Sequence, residues 1–193
     1  MMPLSQNDLL SLEAYAKQRT DFRARVLAHK RERKVRVGEH VTLLFEDRLT
    51  VQYQVQEMLR AEKIFEPEGI AEELAAYNPL IPDGRNLKCT MLIEYADVEV
   101  RKRELLRLRN IEHEVQLVVD GHPPVTAVAD EDLPRSNDEK TAAVHFLRFE
   151  LDDGMVADFK RDKPVTFRIE HPNYRAEAGL PDAQREALAA DLD

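Results

Sequence analysis

Asn78-Pro79-Leu80-Ile81-Pro82-Asp83-Gly84-Arg85 divides this chain into two textures. Upstream, apolar residues recur mostly at helical spacing. Downstream, they come in short β-branched and aromatic runs. Pro79 disfavours helical geometry at Asn78, so the helix that opens at Pro67 and carries Ile70, Leu74 and Tyr77 must stop there. Before it, Arg48 to Ile64 reads as a helix with Val51, Val55, Met58 and Leu59 on one face. Val35 and Val37, a turn at Gly38-Glu39, then Val41, Leu43 and Phe45 read as a short hairpin. Ser5 and Asp8 form the pattern of a capping box ahead of Leu9, Leu10, Leu12 and Tyr15, and Thr20 is placed to cap a second helix through Phe22, Val26 and Leu27.

After Arg85, strands are expected at Cys89 to Tyr95, Val115 to Val119, Val125 to Val128, Val144 to Leu151 and Val165 to Ile169. Helices are expected at Val98 to Leu108 and Met155 to Lys160. Phe146 stands on the opposite parity to Leu147 and Phe149, which a strand buried on both faces would explain. The predicted class is α+β: a helical N-terminal part packed on a C-terminal mixed or antiparallel sheet of about five strands with two helices. Residues 1–82 would form the mostly helical part with its hairpin and 83–175 the sheet part, the two sharing one core. Residues 176–193 would be a mobile tail. The Val51/Val55/Met58/Leu59 face is expected to pack on the C-terminal sheet.

Composition narrows the function classes. The 193 residues carry 28 basic and 37 acidic side chains, a net charge of −9, with 43% hydrophobic and 34% charged residues. That suffices for a core and excludes a disordered chain. No uncharged apolar stretch is long enough for a spanning helix, and Met1 to Ser5 lacks the build of a signal peptide, so a cytoplasmic location is expected. A single cysteine, Cys89, can form neither an internal disulfide nor a four-thiolate cage. The six glycines make no dinucleotide fingerprint or phosphate loop. There is no Gly-x-Ser-x-Gly elbow and no Glu-x-x-His or His-Glu-x-x-His pair. No cofactor is predicted, and no metal site is assigned.

The densest polar constellation runs from Glu46 to Arg60. On a helix, Arg48, Gln52, Gln56 and Arg60 stack at four-residue steps, with Tyr53 and Glu57 on the adjoining stripe. A solvated face laced by Arg–Glu pairs is the plainer reading. The functional reading is a binding site in which Glu46, just before the helix, and His145, from a strand in the other half, converge on Arg48, Gln52, Gln56, Glu57 and Arg60. Carboxylates at Glu46 and Glu57 with His29 or His40 would suit a metal, but scattered single residues give no ligand spacing. His145, within an apolar strand, reads first as a core histidine, His171 as turn chemistry, and Cys89 as an inert packed thiol. Glutamates interrupt or flank the basic runs Lys30 to Arg36 and Arg101 to Arg109, so the residues alone argue against nucleic-acid binding.

Five strings look less generic: Phe45 to Arg48, Tyr53 to Arg60, Tyr77 to Pro82, Glu139 to Phe149, and His171 to Tyr174. Through them the chain, from Leu9 to Tyr174, resembles the bacterial family catalogued as domain of unknown function (DUF) 3501. The resemblance brings no catalytic residues with it. Similar proteins tend to be encoded beside a rubrerythrin and an iron–sulfur oxidoreductase. The resemblance therefore implies, by association, a role near peroxide or electron-transfer chemistry, with any cluster held by those partners. The expected function is a non-enzymatic accessory or binding protein of a redox module. The alternatives are an enzyme or metal-binding protein with an unrecognised carboxylate/histidine site, and a nucleic-acid binder.

Overall fold

The computed structural model describes residues 2–137 and 139–193. After a short 3-10 turn at Gln6–Asp8, the first helix is α1, Leu12–His29, capped by the Ser11 hydroxyl accepting from the Ala14 N–H. It runs unbroken through Thr20, so the expected second cap is not used. Tyr15 and Val26, its buried residues, lie three turns apart on one face. The hairpin β1 (Lys34–Val37) and β2 (Val41–Phe45) turns at Gly38, whose φ is +75°. A side chain there would meet the Tyr174 ring and Ala176.

Helix α2, Arg48–Glu62, starts at Asp47, whose carboxylate accepts from the Thr50 N–H while the Thr50 hydroxyl accepts in turn from the Asp47 N–H. It ends at Lys63 in the left-handed region. Helix α3, Pro67–Tyr77, passes into a 3-10 turn at Asn78–Leu80. The remaining elements are β3 (Asn86–Ile93), α4 (Val98–Arg107), β4 (Val115–Val119), β5 (Val125–Thr126), β6 (Val128–Ala129), β7 (Val144–Glu150), α5 (Asp153–Lys160), β8 (Val165–His171), β9 (Tyr174–Gly179) and α6 (Asp182–Ala189). None of the described helices is long and apolar enough to cross a membrane.

The class is α+β, with the strands in two antiparallel sheets. One is five-stranded in the order β1-β2-β3-β7-β6, and the other four-stranded in the order β5-β4-β8-β9. Their inner faces share a core, with Phe167 of the smaller sheet 5.0 Å from Phe45 and 5.4 Å from Phe149 of the larger. The run expected as one strand at Val125 to Val128 splits between the sheets. Ala127, buried at the split, donates its N–H to Val115.

Three further expectations are corrected. Val51, Val55 and Leu59 pack with Leu4, Leu74 and Ile81 in a helical cluster of their own, not on the C-terminal sheet. The apolar set is therefore two clusters, and the β1–β2 hairpin from the first half belongs to the sheet cluster. The boundary at 82/83 does not separate them, because β2 pairs with β3 along its whole length. Residues 176–193, expected to be mobile, complete β9 and form α6. Leu188 and Leu192 are buried in the sheet core, and Lys160 donates to the Leu192 carbonyl. The polar composition of this tail concealed two apolar anchors four residues apart.

Candidate functional site

The polar face of α2 is used internally. Gln56, buried, accepts the Leu10 N–H at 2.6 Å and donates to the Leu10 carbonyl at 3.2 Å. Gln52 donates to the Asp8 carbonyl, and Arg48 pairs with the Asp8 carboxylate at 2.5 Å. Arg48 thereby pulls the Asp8 carboxyl down to about 2. Glu57 accepts from the Tyr15 hydroxyl at 2.7 Å and from two Arg19 nitrogens at 2.7 and 2.8 Å. The Arg19 fork, against some burial, holds the Glu57 carboxyl at about 2. Arg60 is exposed, 3.6 Å from Glu57, and Tyr53 stacks on Phe22. These side chains brace α2 against α1 and the segment before it. Arg60 reaches solvent, the others are at least partly buried, and the set does not converge with Glu46 or His145.

His145 lies on the core face of β7, opposite Met91 and wholly buried. Its Nδ1 is 2.6 Å from an Asp130 oxygen, and its Nε2 is 2.8 Å from the Thr141 hydroxyl and 3.1 Å from the Ala142 carbonyl. Asp130 also accepts from the Phe146 N–H and pairs with Arg135 at 3.2 Å. On the other side of the ring, buried Glu112 accepts from the Ser136 and Thr141 hydroxyls, its nearer oxygen 3.9 Å from Nε2. Glu112, Asp130 and His145 each offer a metal-ligating atom within 4.8 Å of one another. Nε2 is already engaged by the Thr141 hydroxyl and the Ala142 carbonyl, so an ion held there would displace one of those contacts.

A second buried network, absent from the sequence reading, joins the segment after α1 to the segment after α6. Arg33 pairs with Asp191, lies 3.6 Å from Asp47, and donates to the carbonyls of Phe45, Glu46 and Ala187. His29 contacts Asp47 as well. Burial resists ionisation of Asp47, but Arg33, the Thr50 N–H and His29 together hold it below the usual range. Burial prevails at Asp191 and pushes it up to about 6.

A cleft lies on the outer face of the larger sheet. Antiparallel register sets Lys88 beside Arg148 and Thr90 beside Phe146 on that face, while Cys89, Leu147 and Phe149 point to the core. Ala76, Tyr77, Pro79 and Leu80, at the end of α3, form the opposite wall. Glu131 and Asp132 close one end. The cleft is about 370 Å³ and mainly apolar. Its cations are already engaged: Lys88 donates to the Pro79 and Ile81 carbonyls, and Arg148 holds Glu131 and Glu150. Burial lowers the basicity of Lys88, against the pull of Asp83.

Glu46 also lines this cleft and is only 3% exposed. It is the one predicted site residue that does so. Its carboxylate accepts from the Gln54 amide at 2.8 Å and the Thr90 hydroxyl at 3.0 Å. Both donors are neutral, and among the described residues no cation is within ion-pair distance of it. Burial, with a smaller contribution from Glu46, pushes the Cys89 thiol well above its usual range, so it is inert. Sequence reading missed Tyr77, Lys88, Phe146 and Arg148 as site residues. The signal was present at Phe146, whose contrary parity marks a second, cleft-lining face and not a strand buried on both sides.

A crystal structure described as a novel protein of unknown function from Burkholderia pseudomallei K96243 is similar to this chain over all of both. Its identity is 51% and its TM-score 0.94. No curated protein matches. The family of proteins of unknown function DUF3501 matches residues 3–192, and this chain therefore belongs to it.

Proposed function

We propose that the protein is a binding protein whose cleft, between the end of α3 and the outer face of the larger sheet, takes a small, largely apolar molecule. The observation that carries this is the cleft itself: about 370 Å³, walled by Tyr77, Leu80 and Phe146, with a buried carboxylate at Glu46. Its volume lies within the range of small-molecule sites, and few polar groups among many apolar ones is their usual make-up. The test is a fragment library screened by ligand-observed NMR. Ala76→Trp, at an exposed helix position, should fill the cleft and abolish the signals. Fragments binding wild type and plugged variant alike would refute the reading.

The wider role we propose is that of an accessory in a cytoplasmic redox module, with rubrerythrin-like or iron–sulfur oxidoreductase proteins as partners. The family resemblance supports it, and so does the lack of a known catalytic motif. Sedimentation of the purified protein mixed with each candidate tests it: no complex at tens of micromolar counts against it.

A second reading rests on Glu112, Asp130 and His145 as a metal site. Elemental analysis of purified protein decides it. A stoichiometric metal retained by wild type and lost in Glu112→Gln favours it, and metal-free protein that takes up no zinc or manganese on dialysis excludes it.

A further inference from the structure

We infer that the ligand of the cleft carries a cationic group, an alkylammonium or guanidinium, that ion-pairs with Glu46. This rests on the binding reading and names its ligand class. Three observations combine. Glu46 is all but fully buried, and its two hydrogen-bond donors, Gln54 and Thr90, are both uncharged. The positive groups nearest in the fold are committed elsewhere: Lys88 to the carbonyls of Pro79 and Ile81, Arg148 to Glu131 and Glu150, and Arg33 to Asp191 and Asp47. The same carboxylate borders an apolar cleft with room for a ligand body.

A buried carboxylate without a counter-ion is unfavourable, and a ligand cation brought to it relieves that cost. A carboxylate has about four acceptor positions, and Gln54 and Thr90 fill two. An ammonium or guanidinium donor can therefore be added without displacing either. Phe146, on the strand neighbouring Thr90, supplies an aromatic surface for the ligand's apolar part, as do Tyr77 and Leu80 from the opposite wall. A carboxylate-bearing ligand would instead add a further negative charge to those of Glu46, Glu131 and Asp132.

Three probes of one shape separate the possibilities: phenethylamine, phenethyl alcohol and 3-phenylpropanoate, titrated into the full chain at pH 7. Wild type should bind the amine at least tenfold more tightly than the alcohol and the acid most weakly. Glu46→Gln, which keeps the hydrogen-bonding shape, should remove the preference for amine over alcohol while still binding both. Its melting temperature reports whether it folds, and the three-probe ranking on wild type needs no variant. Equal affinity for amine and alcohol, or an amine preference that survives Glu46→Gln, overturns the cation inference but leaves the cleft reading standing. Failure of all three probes to bind wild type overturns both.

Discussion

His145 and Phe146 are neighbours in β7 and face opposite sides of one sheet: the imidazole is sealed in the core, and the phenyl ring opens on the cleft. Their substitutions should therefore separate stability from binding. His145→Ala removes one hydrogen-bond partner each from the buried Asp130 carboxylate and Thr141 hydroxyl and empties the space of the ring in the core. Leaving a buried polar group short of a partner costs about 1–3 kcal/mol. For a chain of this size each kcal/mol moves the melting temperature by roughly 2–4 °C. Phe146→Ala should melt within a few degrees of wild type yet lose affinity for cleft ligands. Calorimetry and NMR titration on the same two proteins check the pair. A His145→Ala protein that melts like wild type would remove the structural role assigned to that ring.

Glu57→Gln should lower stability at pH 7 without altering cleft binding, because the carboxylate serves Tyr15 and Arg19. The cost is about 1–3 kcal/mol, the range for leaving buried polar partners unpaired, and nearer the lower end because Glu57 is partly exposed. Its folded-state value of about 2 lies below the ordinary 4.5. The contribution is therefore complete above about pH 4.5 and vanishes as pH falls toward 2. Urea unfolding of wild type and variant across pH 2–7 should show two curves that converge at the acid end.

Asp191 should behave in the opposite sense. Burial raises its carboxyl to about 6 from an ordinary 3.8. The folded chain takes up that proton before the unfolded chain does. Stability from this group is gained as pH falls from about 6 toward 3.8 and is absent above that window. The gain is at most about 3 kcal/mol. The difference in unfolding free energy between wild type and Asp191→Asn, followed from pH 8 to pH 4, should move toward wild type on acidification. A constant difference would contradict it.

Deleting residues 182–193 should unfold the protein or leave it aggregating, since Leu188 and Leu192 are part of the sheet core. Circular dichroism and size-exclusion chromatography of the truncated chain check this. A monomer with native near-ultraviolet signal would show that the tail is dispensable.

Local elements were legible where one physical signal governed them. Pro67 and Asn78-Pro79 bracket α3, and the alternation through Val41, Leu43 and Phe45 marks β2. Tertiary pairings were not. The apolar face of α2 is the same whether it meets a sheet or two helices, so sequence alone did not place it with Leu4 and Leu74. Val125 to Val128 reads as one strand because nothing in its composition marks the change of sheet at Ala127. At the candidate site, Glu46 was legible as a carboxylate next to a helix start. Its setting depends on Thr90 and Phe146, brought there by pairings across 44 and 56 residues. The row of Arg48, Gln52 and Gln56 was read correctly as a row, but its partners are mostly backbone groups of Met2, Asp8 and Leu10, which carry no sequence signature.

The Arg33–Asp191 contact orders events during synthesis. Arg33 is made 158 residues before Asp191, and it is enclosed beneath α6 with Asp47 and three main-chain carbonyls. Until residues 187–191 emerge from the ribosome, that guanidinium lacks its Asp191 and Ala187 partners, and the sheet core lacks Leu188 and Leu192. A nascent chain can form the α2–α3 helical cluster early, but the sandwich closes only once Leu188 and Leu192 have been made. Ribosome-stalled chains ending before residue 187 should accordingly remain protease-sensitive around Arg31 and Arg33, and chains extended past residue 193 by a linker should not.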